Sequence, residues 1–200
     1  MYKVIITFML LLYVHAANAQ TEKGKQNIGL GLRYSHSKNT TEFNNYSSNQ
    51  NSASLQYSYF IADKVDLGAE VAYYYIKSGN NSSSQRFSST ANGFGSRIQL
   101  RKYFLFENKI GVRTGPYLDY LSLNNDDNDV VSLSSRKSAR YSTGISADLV
   151  YYPTEKIGIA AGIGALQYSY AKTTGDYPSS GNSLSLALTN GINLYFYYVF

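Results

Sequence analysis

The sequence predicts an all-β fold, a closed eight-stranded antiparallel up-and-down transmembrane barrel. Three observations carry this. From residue 27 onward apolar residues alternate with small or polar ones, the period of a strand. Short turns and long polar connections alternate along the chain, as in a meander with two distinct ends. Aromatics collect at the ends of the alternating segments, and the chain finishes on NLYFYYVF, Asn193 to Phe200.

Composition fits this reading. The 200 residues suit one domain. Only 16% are charged, against roughly 25% in soluble domains. Aromatics reach 15%, with 21 Tyr and no Trp, so the chain is too apolar for disorder and short of solubilising charge. The net charge of +5 comes from scattered Lys and Arg with no run longer than two. That distribution argues against a nucleic-acid partner. With no Cys, disulfides, thiolate metal sites, cysteine nucleophiles and an N-terminal lipid-anchored Cys are all excluded.

The chain opens on MYKVIITFMLLLYVHAANAQ. Lys3, the apolar stretch Val4 to Val14 and small residues at Ala17 and Ala19 form a secretory signal with an A-x-A cleavage pattern, cut before Gln20. The stretch is too short to span a bilayer as a helix, and no later run is long enough. The expected division is a signal peptide over 1–19, a short periplasmic segment over 20–26 and a barrel over 27–200.

Eight strands follow. The first sets Ile28, Leu30, Leu32 and Tyr34 against Gly29, Gly31, Arg33 and Ser35. The second sets Ala53, Leu55, Tyr57 and Tyr59 against Ser54, Gln56 and Ser58. The third sets Val65, Leu67, Ala69, Val71 and Tyr73 against Asp66, Gly68, Glu70 and Ala72. The fourth opposes Phe94, Ile98, Leu100 and Phe104 to Gly93, Gly95, Arg97, Gln99 and Arg101. The fifth opposes Ile110, Val112, Leu118 and Tyr120 to Gly111, Arg113, Gly115 and Asp119. The sixth opposes Tyr141, Ile145, Ala147 and Leu149 to Arg140, Gly144, Ser146 and Asp148. The seventh opposes Ile157, Ile159, Ala161 and Ile163 to Gly158, Ala160, Gly162 and Gly164, and its phase slips near Ala165 to Gln167, at a bulge. The eighth runs Leu184, Leu186, Leu188, Ile192, Leu194, Phe196, Tyr198 and Phe200 along one side.

Tight turns are expected at Ala62–Lys64, Leu105–Lys109 and Pro153–Lys156, and long polar loops near Lys38–Gln50, Lys77–Thr90, Asn124–Lys137 and Thr173–Asn182. The tight turns repeat one another: YFIADKVDLG, YFLFENKIG and YYPTEKIG each contain an aromatic pair, an acid, a Lys and an aliphatic return.

Alternation alone leaves open whether the apolar face points in, as in a soluble barrel, or out toward lipid. Four features favour out. The other face is Gly, Ser and Ala with few Lys, suited to the crowded inside of eight strands. Its charges can balance in a lumen network of Arg33, Arg97, Arg101, Arg113 and Arg140 with Glu70, Asp119 and Asp148. Aromatics form two girdles. Tyr59, Phe60, Tyr103, Phe104, Phe106, Tyr151 and Tyr152 mark the short-turn end; Tyr34, Tyr73, Tyr75, Phe94, Tyr120, Tyr141, Tyr168 and Tyr170 mark the other. Finally, an open sheet edge in lipid would leave backbone groups unpaired at several kcal/mol each, so the last strand must close on the first, with Phe196, Tyr198 and Phe200 facing outward.

A signal peptide, eight alternating strands, short turns and a terminal Phe with aromatics at alternate positions resemble the small outer-membrane barrels of the OmpX/OmpA transmembrane type. The Asn/Tyr/Ser-rich style is similar to outer-membrane β-barrel domain proteins of Bacteroidetes. The resemblance spans roughly Asn27 to Phe200. It implies outer-membrane localisation and contact with outer-membrane lipid and lipopolysaccharide. It also implies recognition of the C-terminal signal, Phe196, Tyr198 and Phe200, by the barrel-assembly machinery.

Chemistry is sparse. Barrels resembling this one include lipid A-modifying enzymes that use a His with Ser and an acid. Here His15 leaves with the signal peptide, and His36 stands beside Ser35 and Ser37 without either family motif. NNDDND, Asn124 to Asp129, lacks the Gly and distal Glu of a calcium loop. GLGLR and GFGSR are strand glycines, since no helix follows them to form a phosphate cradle. The expectation is a non-enzymatic, cofactor-free monomer with a filled lumen and no wide pore, presenting four polar extracellular loops to a ligand the sequence does not identify. The alternatives are a narrow channel or small-solute transporter, and a lipid A-modifying enzyme built on His36.

Overall fold

A computed structural model describes residues 20–41, 44–82, 86–129, 133–175, 178–188 and 191–200. The expected signal peptide, residues 1–19, lies outside them. The chain forms β1 (Gln26–Thr40), β2 (Asn44–Ala62), β3 (Val65–Ser82), β4 (Arg86–Phe106), β5 (Ile110–Asp129), β6 (Leu133–Tyr151), β7 (Ile157–Thr174), β8 (Ser179–Leu188) and β9 (Gly191–Val199). Consecutive strands from β1 to β8 pair antiparallel. β9 pairs with β1 from Asn27↔Val199 to Ser35↔Gly191, and with β7 from Ile157↔Tyr198 to Ala161↔Leu194. The sheet therefore closes into a barrel, the up-and-down architecture that the alternation predicts.

The eighth predicted strand is two pieces. β8 pairs with the far part of β7, Gly164 to Thr173, while β9 takes its near part. From Ala161↔Leu194 to Gly164↔Leu188, β7 advances three residues and its partner recedes six. At the same height Ala147 faces Gly164 while Asp148 faces Gly162, leaving Ile163 as the extra residue. This is the expected bulge, earlier than the predicted Ala165 to Gln167. The slip moves the inward set from Gly158, Ala160 and Gly162 to Ala165, Gln167 and Ser169, because a one-residue shift exchanges the faces of a strand.

A second correction concerns the long connections. Most of these residues belong to the ladder rather than to loops: pairing runs to Thr40↔Asn45, Asn81↔Arg86, Asn128↔Leu133 and Thr173↔Ser179. Asn, Ser and Thr on both faces hide the period of two, yet backbone pairing needs no apolar face where water solvates the side chains.

The outward face is apolar. Leu30, Leu32, Val71, Phe94, Ile98, Leu118 and Ile145 are all exposed, Ile98 at 58%. The inward face buries Arg101, Asp66 and Gln56 almost completely. The aromatic girdle at the short-turn end needs a third correction. Tyr59, Phe104, Phe106 and Tyr151 face outward, but Phe60, Tyr103 and Tyr152 are buried inside. Neighbours on a strand point to opposite faces, so each aromatic pair splits. The other girdle, Tyr34, Tyr73, Tyr75, Phe94, Tyr120, Tyr141, Tyr168 and Tyr170, is outward throughout.

The split pairs explain the repeat. Phe60, Tyr103, Tyr152 and Val199 pack in one core cluster with Val150, Ala160, Tyr195 and Tyr197. Their backbone N–H groups donate to the carbonyls of Lys25, Lys64, Lys109 and Lys156 at 2.9, 2.8, 2.7 and 2.8 Å. Lys64, Lys109 and Lys156 thus join each hairpin to the strand beyond it, and Lys25 does the same for β2 from the N-terminal segment. Lys64, Glu107 and Asn108 adopt positive φ to make the tight turns. Gln20 and Thr21 are buried against this end: the Thr21 carbonyl accepts from Lys64 N at 2.7 Å and Gln20 Nε2 donates to the Thr154 carbonyl at 3.2 Å. The short N-terminal segment therefore lies across the mouth of the barrel beneath the aromatic cluster.

Closure depends on close approach at Gly29. A Cβ there would stand 2.5 Å from the Tyr197 ring, itself buried. Gly29→Val is expected to destabilise the barrel by about 1–3 kcal/mol through overpacking, measured by equilibrium urea unfolding.

Candidate functional site

The chemistry-bearing residues converge on the lumen, and the strand register brings them together. Asp66 stands opposite Arg101, Glu70 opposite Arg97, Arg97 opposite Asp119 and Arg113 opposite Asp148. Directly opposed side chains on one face lie close enough to pair. Three of these oppositions are ion pairs: Arg101–Asp66 at 2.5 Å, Arg113–Asp148 at 2.7 Å and Arg97–Asp119 at 3.7 Å.

Near the short-turn end the lumen is packed and polar. Arg101 grips Asp66 with two donors, Nε to Oδ1 at 2.9 Å and an amino group to Oδ2 at 2.5 Å. The Tyr103 hydroxyl donates to Oδ2 at 2.9 Å. The Ser58 hydroxyl lies 3.0 Å from the same oxygen and 2.7 Å from Asn27 Oδ1. The Gln56 amide, oriented to match its neighbours, accepts from both Arg101 amino groups at 2.6 and 2.7 Å and from Gln99 Nε2 at 3.1 Å. Arg113 donates to the Tyr197 hydroxyl and lies over the Tyr197 ring, 4.8 Å from its centroid. Planar guanidinium suits such stacking and forked donation together. The arrangement satisfies buried charges through several partners each, the condition under which burial is tolerated.

Toward the other end the lumen opens into a chamber of about 310 Å³, lined in part by Arg33, Arg97, Arg140, Tyr117, Asp148 and Gln167. Arg97 lies over the Tyr117 ring, 4.5 Å from its centroid. The Tyr117 hydroxyl donates to Gln167 Oε1 at 2.9 Å, and Gln167 Nε2 donates to Ser142 Oγ at 3.3 Å. Arg33 Nε donates to Asn193 Oδ1 at 2.7 Å.

All eight predicted lumen residues, Arg33, Glu70, Arg97, Arg101, Arg113, Asp119, Arg140 and Asp148, point inward. The prediction omitted Asp66, the most enclosed acid, along with Ser58, Gln56, Tyr103 and Tyr197. Asp66 shares the parity of Glu70, so the alternation contained its signal. Phe196, Tyr198 and Phe200 face outward as expected, and the Tyr198 and Phe200 rings stack at 6.3 Å. His36 is exposed, with Nδ1 2.7 Å from Asn49 Oδ1. Asn124 to Asp129 continue β5, and the Gly29/Gly31 and Gly93/Gly95 pairs lie within β1 and β4. No group of three or more His, Cys, Asp or Glu positioned to hold a metal occurs among the described residues.

No protein-family model matches the chain, and no curated protein matches it. Among solved structures it is similar to Ail, the attachment invasion locus protein of Yersinia pestis, at 14% identity over 89% of this chain and 99% of that one, with a TM-score of 0.46. It is also similar to the outer membrane protein OprG of Pseudomonas aeruginosa, at 15% identity over 92% and 99%, TM-score 0.47. A major outer membrane protein from Thermus thermophilus aligns at 12% identity over 88% and 99%, TM-score 0.47.

The buried Asp66 cluster has an energetic signature. Asp66→Leu strands Arg101 inside the barrel and is expected to cost about 3–5 kcal/mol. In Asp66→Leu combined with Arg101→Met the loss should be well below the sum of the single losses. Urea unfolding of the four proteins, as a double-mutant cycle, reads both outcomes.

Proposed function

We propose that the chain is an integral barrel of a bacterial outer membrane with a structural and interaction role. It presents four polar hairpin arms outside the cell and carries no wide pore. The observation that supports this reading best is the inversion of the barrel. Its exposed surface carries Leu, Ile, Val, Phe and Tyr around the ring, whereas its enclosed side carries arginines, acids and amides. A water-soluble barrel needs the opposite arrangement. The outward girdles add to this. Tyr73–Phe94 and Tyr120–Tyr141 are edge and tilted ring pairs at 5.3 and 5.0 Å at one height, and Phe104, Phe106, Tyr151, Tyr198 and Phe200 mark the other. Amphipathic rings favour the two membrane–water interfaces.

The filled short-turn end supports a barrel that does not conduct freely. Phe60, Tyr103, Tyr152, Tyr197 and Val199 pack together there. Gln20 and Thr21 are buried beside them. The regular hairpin arms project polar side chains away from the apolar belt, which suits contact with ligands or neighbouring surface polymers. Phe196, Tyr198 and Phe200, presented outward on the closing strand, are the proposed recognition signal for the assembly machinery.

The folded protein, extracted from membranes in detergent, should migrate differently on an SDS gel before and after boiling and should fractionate with the outer membrane. An unshifted band from a water-soluble protein would overturn the reading. Ile98→Arg, midway between Phe94 and Phe104 on the outward face of β4, should cost about 2–4 kcal/mol when folding into lipid vesicles is titrated with urea.

A further inference from the structure

The register that pairs three lumen arginines with acids leaves two without one. Arg33 lies between Ser52 and Asn193, and Arg140 between Leu121 and Ala171. Neither forms an ion pair among the described residues. Arg33 is steadied by Asn193, a neutral partner. Arg140 Nε is buried and has no hydrogen-bond partner.

Both guanidiniums line the same chamber. Two acids at this height are engaged in ion pairs, Asp119 with Arg97 and Asp148 with Arg113. Glu70 faces Arg97 across the ladder without an ion pair and attracts both Arg97 and Arg33, which leaves Arg140 the lumen arginine farthest from any acid. Five inward arginines (Arg33, Arg97, Arg101, Arg113 and Arg140) thus meet four inward acids (Asp66, Glu70, Asp119 and Asp148). The surplus positive charge falls in the half of the lumen that has open volume. A partly enclosed cation without a counter-charge is unfavourable, and a planar guanidinium matches the paired oxygens of an oxyanion.

The chamber also has a flank open to the side. The edge of β8 away from β7 has no partner strand among the described residues, and β1 beyond Ser35 pairs with β2 alone. Ala187 and Leu188 of β8 and Asn193 of β9 line the chamber at this gap. Leu184, Leu186 and Leu188 are exposed beside it, Leu186 at 79%. An apolar edge next to an arginine-lined cavity fits a ligand with an acyl tail as well as a free anion.

We propose that the outer chamber is an oxyanion site in which Arg33 and Arg140 hold a phosphate group, either free in solution or on a lipid headgroup. The site stands on the lumen geometry: its free-anion form does not depend on what the hairpin arms bind or on the membrane assignment, and only its headgroup form rests on that assignment.

The test is calorimetric titration of the folded protein in maltoside micelles at constant ionic strength, with chloride as the balancing anion. One arm uses inorganic phosphate and the other a short-chain phosphatidic acid. Saturable binding is expected in at least one arm. It should weaken about tenfold or more in Arg140→Gln and in Arg33→Gln, and stay unchanged in Lys172→Gln, which removes an exposed cation outside the chamber. Binding of both ligands alike assigns the site to a free anion, and binding of the lipid alone assigns it to a headgroup entering at the β1–β8 gap. Circular dichroism verifies the fold of each variant, and the two arginines are tested separately so that either folded variant decides. No saturable binding in either arm would overturn the proposal and leave a water-filled chamber. Equal weakening by Lys172→Gln would overturn it too, as binding to surface charge.

Discussion

Backbone hydrogen bonding around a closed ring governs this molecule. A sheet of this size with open edges would expose a row of unpaired N–H and C=O groups along each edge, a ready template for wrong pairing. Pairing of β9 with β1 removes those edges over the near part of the barrel. Closure also decides which side chains face the lumen, because each strand has only two faces. Gly29 and Gly31 on β1 sit where a Cβ would meet the Tyr197 and Tyr195 rings. The aromatic-rich last strand and the glycine-rich first strand are therefore two halves of one joint.

Once the ring is closed, register does the electrostatic work. The buried ion pairs are formed by residues directly opposite one another on adjacent strands, not by side chains reaching across the lumen. A slip of one residue would put every partner on the wrong face at once. The Asp66–Arg101 cluster therefore penalises wrong registers as strongly as it holds the right one. The turn lysines Lys64, Lys109 and Lys156 act alongside it at the same end, where they and Lys25 each give a carbonyl to a neighbouring strand.

Much of this was legible in the sequence because a strict period of two assigns faces directly. The antiparallel meander, the outward Phe196, Tyr198 and Phe200 and all eight inward charges follow from parity, and the three tight turns from their turn residues. The misses have physical causes. Height groups Phe60, Tyr103 and Tyr152 with outward neighbours, whereas parity sends them inside. The hairpin arms read as loops because solvated strands need no apolar face. The break between β8 and β9 and the exact site of the bulge depend on how β7 pairs with two partners, a long-range matter that no local pattern encodes. The pairing of Arg97 with Asp119, and the lack of an acid beside Arg140, likewise require the register.

The hairpin arms carry one more consequence. Beyond the apolar belt both faces of the ladder are polar, and Lys38 to Thr40 on β1 and Ser179 to Ser183 on β8 are exposed on either side. Parity has lost its grip there, since turning such a strand over exchanges one solvated residue for another. The arms can thus lengthen, shorten or change composition without a signal reaching the lumen. Within the belt the same edit must come in steps of two residues to keep outward apolar and enclosed polar side chains apart. Tolerance to substitution in this chain therefore follows height above the belt, with strict alternation at the base and free composition along the arms.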